Sequence, residues 1–345
     1  GGDPSIIVAV LDSGVAYETY GEYIQAPDLA STNFWVNSDE IPDNSIDDDG
    51  NGYVDDINGW DFANGDAHPN DNNGHGTHVC GTIAQSTNNG LGVAGIAFNT
   101  TIMPVKVGNI EGPTNMWLSE GIYYATNNGA HIINISASSE YSITLENAVA
   151  YAYNSGVTIV CAAGNEYEEG NSPSYPAAYD DYCIAVGATR YDQTHAPYSN
   201  TGPYIDIVAP GGDLAVDQNG DGYKDGILQN TFNTNTHDVT DFGYPFLQGT
   251  SMACPHVAGV AALILAKNPS LTPDQVRQAL ESTATDLGDP GWDEVYGWGL
   301  VTAASDMIPP TMKPINEPQG RYYDKALCYC DYALEKAFTQ HWYKV

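Results

Sequence analysis

Apolar positions in this chain fall into short runs rich in β-branched residues, separated by longer stretches with helical spacing. Six runs, at residues 6–11, 102–107, 131–136, 158–163, 183–188 and 205–209, are bounded by turn residues and predict strands. Residues 116–127, 143–154 and 255–267 carry helical patterns. Another helix starts at Thr272-Pro273-Asp274-Gln275, where Thr272 can cap the first turn and Gln275 can reach back to complete a capping box. Helices interleaved with strands predict an α/β fold of three layers, a mostly parallel central sheet with helices on both faces. Chemistry in such sheets collects at the carboxyl ends of strands, and Asp12, Ser136 and Asn165 all stand in that kind of position.

Three segments change the picture from a scaffold to a candidate enzyme. Gly249-Thr250-Ser251-Met252-Ala253-Cys254-Pro255 sets a serine among small residues ahead of an apolar helix, beside unpaired N–H groups and the positive end of a helix dipole. Asn72-Asn73-Gly74-His75-Gly76-Thr77-His78 supplies a histidine between glycines, and Val8-Ala9-Val10-Leu11-Asp12 ends an apolar strand on an aspartate. A serine hydroxyl needs an adjacent base to attack a carbonyl, and an imidazole needs a carboxylate to hold its tautomer. His75 and His78 are not spaced as a metalloprotease zinc pair. His256 reads as a structural residue.

With these flanks, and in the order Asp, His, Ser, the sequence resembles the subtilisin-like serine proteases from about Ile6 to about Ala304. The segment Val160-Cys161-Ala162-Ala163-Gly164-Asn165 is similar to the one whose asparagine donates to the oxyanion in that family. The resemblance implies a secreted serine endopeptidase in which Ser251 is the nucleophile, His75 the base, Asp12 its orienter and Asn165 an oxyanion donor. It implies a peptide or protein substrate paired as an added strand between residues 111–115 and Ser136-Ala137-Ser138. Ala162, Ala163, Gly164 and Ser174 would complete the primary pocket, whose wall differs from the family pattern in carrying Ser138 where glycine is commoner. Glu166, Glu168 and Glu169 could give that pocket an acidic rim favouring lysine or arginine. The family also implies a cleaved pro-domain, for which this chain, opening on Gly1-Gly2-Asp3-Pro4 as a mature or trimmed soluble protein would, shows no counterpart. Two other readings keep the same residues: a peptide ligase or macrocyclase that passes the acyl group to an amine, and a silent, calcium-stabilised binding module.

Composition narrows the partners. With 44 acidic and 10 basic residues and a formal charge of −34, the 345-residue chain is a poor match for nucleic acid or an anionic membrane. Nothing in the sequence reads as a membrane span. Residues 311–345 differ: Lys313, Arg321, Lys325, Lys336 and Lys344 nearly balance Glu317, Asp324, Asp331 and Glu335. With Pro309-Pro310 ahead of it, this tail is expected to be a segment separate from a catalytic domain over residues 1–310.

Two acidic loops suggest structural calcium. In Asp47-Asp48-Asp49-Gly50-Asn51-Gly52-Tyr53-Val54-Asp55, oxygen donors alternate around a glycine, making Asp47, Asp49, Asn51, the Tyr53 carbonyl and Asp55 candidate ligands. Asp217, Asn219, Asp221, Tyr223 and Asp225 repeat the spacing. Both loops lack the glutamate at the twelfth position, where Asn58 and Leu228 stand, and the same spacing also suits acidic turns that satisfy their own backbone. Six cysteines in a chain of this size do not make a disulfide framework. Cys80, Cys161, Cys183 and Cys254 sit in apolar segments and read as small buried hydrophobes, while Cys328 and Cys330 fall in the tail. A bridge between Cys161 and Cys183, on strands that are neighbours in the family fold, is left open.

Overall fold

The computed structural model describes residues 1–110 and 112–303. Its centre is a parallel sheet of eight strands: β1 (Ile7–Asp12), β2 (Asn33–Phe34), β3 (Trp60–Asp61), β4 (Thr101–Lys106), β5 (Ile132–Ile135), β6 (Thr158–Ala162), β7 (Cys183–Thr189) and β8 (Ile207–Pro210). The order across the sheet is β8-β7-β6-β5-β1-β4-β2, with β3 also paired to β4. Helices α1 (His75–Ala84), α2 (Asn115–Asn127), α3 (Ile143–Asn154), α4 (Thr250–Lys267) and α5 (Pro273–Thr283) cover it.

Alternation along the strands divides the interior into two cores. Val8 and Val10 of β1 face a cluster shared with α1, α4 and α5, through Val79, Ile83, Val257, Val260 and Leu280. Ala9 and Leu11 face the other way, onto Leu118 and Ile122 of α2 and Leu145 and Val149 of α3. This is the expected three-layer arrangement, with both sheet faces buried and continuous apolar strands.

Three differences from the sequence reading have physical reasons. α1 carries no amphipathic stripe because it is enclosed on nearly every side, with residues 76–84 all buried. β2 and β3 span two residues each, too short to show a period. α4 starts at Thr250 rather than 255 and takes Pro255 inside it. Among the described residues α4 alone is long and apolar enough to cross a membrane, yet it lies within the core. The capping box at Thr272 forms, with Thr272 accepting from Gln275 N and Gln275 accepting from Thr272 N.

Candidate active site

Because all the sheet strands run the same way, their carboxyl ends share one edge, and four segments meet there. Asp12 closes β1, Ser136 follows β5, Gly164-Asn165 follow β6, and the N-terminus of α4 brings Ser251. A cavity of about 270 Å³ opens between them, lined among others by Asp12, His75, Ser136, Asn165 and Ser251.

His75 is the first residue of α1, and its Nδ1 lies 2.7 Å from Asp12 Oδ1. The helix approaches β1 this closely because residue 76 is glycine: a Cβ there would fall 2.1 Å from Gly14 O and 3.0 Å from Asp12 Cβ. Asp12 is buried, while the His75 side chain is 30% exposed toward the cavity. Burial opposes charging of the ring. Asp12 outweighs it through its negative charge and hydrogen bond, with Asp71 adding to the effect, so the His75 pKa lies above the ordinary imidazole value.

Asp71 is a residue the sequence reading passed over. Its Oδ1 accepts from Ser13 Oγ at 2.9 Å and from the N–H groups of Asn73 and Gly74, and its Oδ2 accepts from Thr77 N and Thr77 Oγ1. Ser13 Oγ in turn accepts from Gly76 N at 3.0 Å. One carboxylate therefore ties the end of β1 to the first turn of α1, where negative charge is favoured, and holds Asp12 opposite His75. The signal was an aspartate shortly before an Asn-Gly step that opens a helix.

On the other wall, Asn165 Oδ1 accepts from Thr250 N at 2.9 Å and Thr250 Oγ1 at 3.0 Å. Its carbonyl oxygen is thereby held away, leaving the Nδ2 group as the donor presented to the cavity. Ser251 Oγ donates to Ser136 O at 3.1 Å, and its N–H belongs to the first turn of α4, where helices leave donors unused.

The remaining candidates separate. Ser136, Ala137, Ser138, Ala162 and Gly164 line the cavity, together with Gly108, Asn109, Gly112 and Pro113 of a short hairpin. Glu111 lies outside the described residues. Ala163 packs into the core with α2 and α3 instead, and Ser174 is buried behind Gly164. Glu166, Glu168 and Glu169 are not among the lining residues, and Glu166 accepts from Asn165 N and Asn200 Nδ2. His78 turns away to bond Ile227 O, and His256 bonds Met252 O within its helix.

These features decide the relationship, and comparison of the whole sequence agrees: the subtilase family profile matches residues 3–299. The chain belongs to the subtilase family. Subtilisin DY of Bacillus licheniformis is 42% identical over 249 residues, covering 71% of this chain and 81% of the relative. Subtilisin Savinase of Lederbergia lenta is 42% identical over 247 residues with the same coverage. The alkaline protease of Alkalihalobacillus alcalophilus is equally similar, but this chain spans only 58% of it. Among solved structures, a lanthipeptide protease superposes with a TM-score of 0.67 at 28% identity, covering 88% of each chain. A cold-adapted subtilisin-like serine proteinase gives 0.61 at 28% identity, over 86% of this subtilase and 87% of the other. The chain is thus a subtilisin-like serine protease.

The acidic loops contrast with the cavity. In the first, Asp47 accepts from the N–H groups of Gly50, Asn51 and Gly52, and Asp55 from those of Asn44 and Ser45. Asn51 accepts from Tyr53 N. The donor set that converges is a different one: Glu40, Asp49 and Asp56 place carboxylate oxygens within 4.8 Å of one another, with Glu40 and Asp56 buried. Glu40 and Asp56 were not among the sequence candidates, since they flank the motif rather than occupy its alternate positions. In the second loop, Asp217 accepts from Gly220, Asp221 and Gly222 N, Asn219 from Asp221 N, Asp221 from Tyr223 N, and Asp225 from Gln218 N. No comparable cluster forms there among the described residues. Cys80, Cys161, Cys183 and Cys254 are buried and unbridged. Cys183 pairs in register with Ile159 and Cys161 with Ala185, so the two cysteines are not cross-strand partners. The tail from 304, with Cys328 and Cys330, lies outside the described residues, as does the expected boundary at 310.

Proposed function

We propose that this subtilase hydrolyses peptide bonds through an acyl-enzyme on Ser251. His75 Nε2 takes the Ser251 proton as Oγ attacks the scissile carbonyl, then delivers it to the departing amine. Asp12 holds the ring with its Nδ1–H directed at the carboxylate and favours the imidazolium that forms. The carbonyl oxygen, negative in the tetrahedral intermediate, is met by Asn165 Nδ2 and the Ser251 N–H. Water, deprotonated by His75, then releases the acid and returns the proton to Ser251. The observation that carries this reading is the 2.7 Å bond between Asp12 and His75 at the wall of a cavity that Ser251 and Asn165 also line. In the mechanism, the Ser251 hydroxyl turns from Ser136 O to His75; catalytic hydrogen bonds commonly close only when substrate is in place.

The substrate is an extended peptide laid between the 108–113 hairpin and residues 136–138, and the bacterial relatives point to a secreted enzyme. Glu40, Asp49 and Asp56 form a hard oxygen set suited to calcium, which would pin the acidic loop and supply no catalytic chemistry. The test is labelling with a fluorophosphonate, followed by mass spectrometry of peptide products. Ser251 should carry the label, Ser251→Ala should abolish both labelling and turnover, and the products should be cleaved peptides. Absence of label with intact folding would favour a silent binding module, and joined peptides a ligase.

A further inference from the structure

The start of α4 has a defect that something must repair. In a regular helix the carbonyl of residue 251 accepts from the N–H of residue 255. Here residue 255 is proline, which has no N–H and whose ring crowds that carbonyl. The carbonyl left without its helical donor is that of Ser251. Ser136 replaces the missing donor: its Oγ donates to Ser251 O at 2.9 Å, while its own carbonyl accepts from Ser251 Oγ at 3.1 Å.

The direction of the Ser136 hydroxyl is fixed from behind. Asn134, fully buried in the strand sequence Ile132-Ile133-Asn134-Ile135, donates from Nδ2 to Ser136 Oγ at 3.1 Å. Receiving that bond turns the Ser136 proton toward Ser251 O. Cys254 Sγ, one turn along α4, lies 3.2 Å from Asn134 Oδ1 and fixes which end of the amide faces Ser136. An amide in the middle of an otherwise apolar strand is costly unless satisfied, and its partners here lead to the nucleophile. We propose that Asn134 is a positioning residue: through Ser136 it replaces the hydrogen bond that Pro255 removes and sets the placement of Ser251 Oγ and the Ser251 N–H. The proposal rests on Ser251 being the nucleophile.

The test is a set of variants measured for kcat, KM, melting temperature and rate of fluorophosphonate labelling. Asn134→Val should lower kcat and the labelling rate about tenfold with KM within twofold, a loss confined to the chemical step. In a Ser136→Ala background Asn134→Val should cause no further loss, because residues acting in series are not additive. In a Pro255→Ala background, where the N–H is restored, the Asn134→Val effect should shrink below twofold. If Asn134→Val does not fold, Asn134→Ala takes its place. The idea is overturned if the valine variant retains full kcat, or if its loss persists undiminished in both backgrounds. Failure of the nucleophile assignment would look different: the native protein itself would not label at Ser251.

Discussion

The carboxyl edge of the sheet and the acidic loop over residues 36–58 use polar residues in opposite ways. At the edge, side chains reach across the fold: Asp12 to His75, Asp71 to Ser13, Ser136 to Ser251, Asn165 to Thr250. In the loop, Asp47, Asp55 and Glu40 accept from nearby backbone N–H groups, and Glu40, Asp49 and Asp56 converge. Long-range pairing positions chemistry. Local pairing shapes a turn.

The contrast is broken most sharply at the edge. Ser251→Ala and His75→Ala should each lower kcat by about a millionfold, since triad members act as a unit. The same assay on Asp221→Asn, in the second loop, should stay at the native rate. Equal losses at both places would remove the distinction. Next in size, Asn165→Leu should cost about 100- to 1000-fold in kcat with KM little changed, the amount expected for one oxyanion donor.

Asp71→Asn tests whether the link from β1 to α1 is electrostatic as well as structural. Asp71 helps raise the His75 pKa, so removing its charge lowers that pKa. His75 works as a base only when neutral, and the acid limb of kcat/KM should therefore move to lower pH. The raised pKa also means that protonated His75 favours the fold below the ordinary imidazole value, and that this contribution fades as pH rises through the raised value. Asp71→Asn should reduce it, and should cost about 2 kcal/mol from its hydrogen bonds, read as a melting point lower by several degrees.

For the loop, calcium at about 100 times its dissociation constant should stabilise by about 2.7 kcal/mol, visible as a rise in melting temperature that a chelator reverses. Asp56→Asn should suppress most of that rise while kcat at 25 °C is unchanged, and Asp217→Asn should leave it intact. A rise lost with Asp217→Asn and kept with Asp56→Asn would reverse the assignment of the two loops.

These differences explain what could be read from sequence. The strands, and with them the placement of Asp12, Ser136 and Asn165, follow from continuous β-branched runs bounded by turn residues, the pattern of strands buried on both faces. Ser251 and His75 were recognisable because small flanking residues are demanded by close approach, as at Gly76. Ala163 and Ser174 were placed at the pocket by resemblance to the family, whereas alternation turns Ala163 into the core and Ser174 is buried behind Gly164. Asn134 was missed because an amide inside an apolar strand follows no spacing rule, and Asp71 because its local signal, an aspartate ahead of an Asn-Gly step, does not announce Ser13, 58 residues away. Of the three carboxylates that converge in the first loop, alternate spacing offered Asp49 but not Glu40 or Asp56, because such spacing in a loop specifies a turn as readily as a coordination shell.

The four interior thiols carry one last implication. Cys80, Cys161, Cys183 and Cys254 are each sealed from solvent and unbridged, so the described body holds itself together without any covalent staple. Dithiothreitol should leave its unfolding midpoint where it was, and the compartment's redox state is then irrelevant to whether these residues fold.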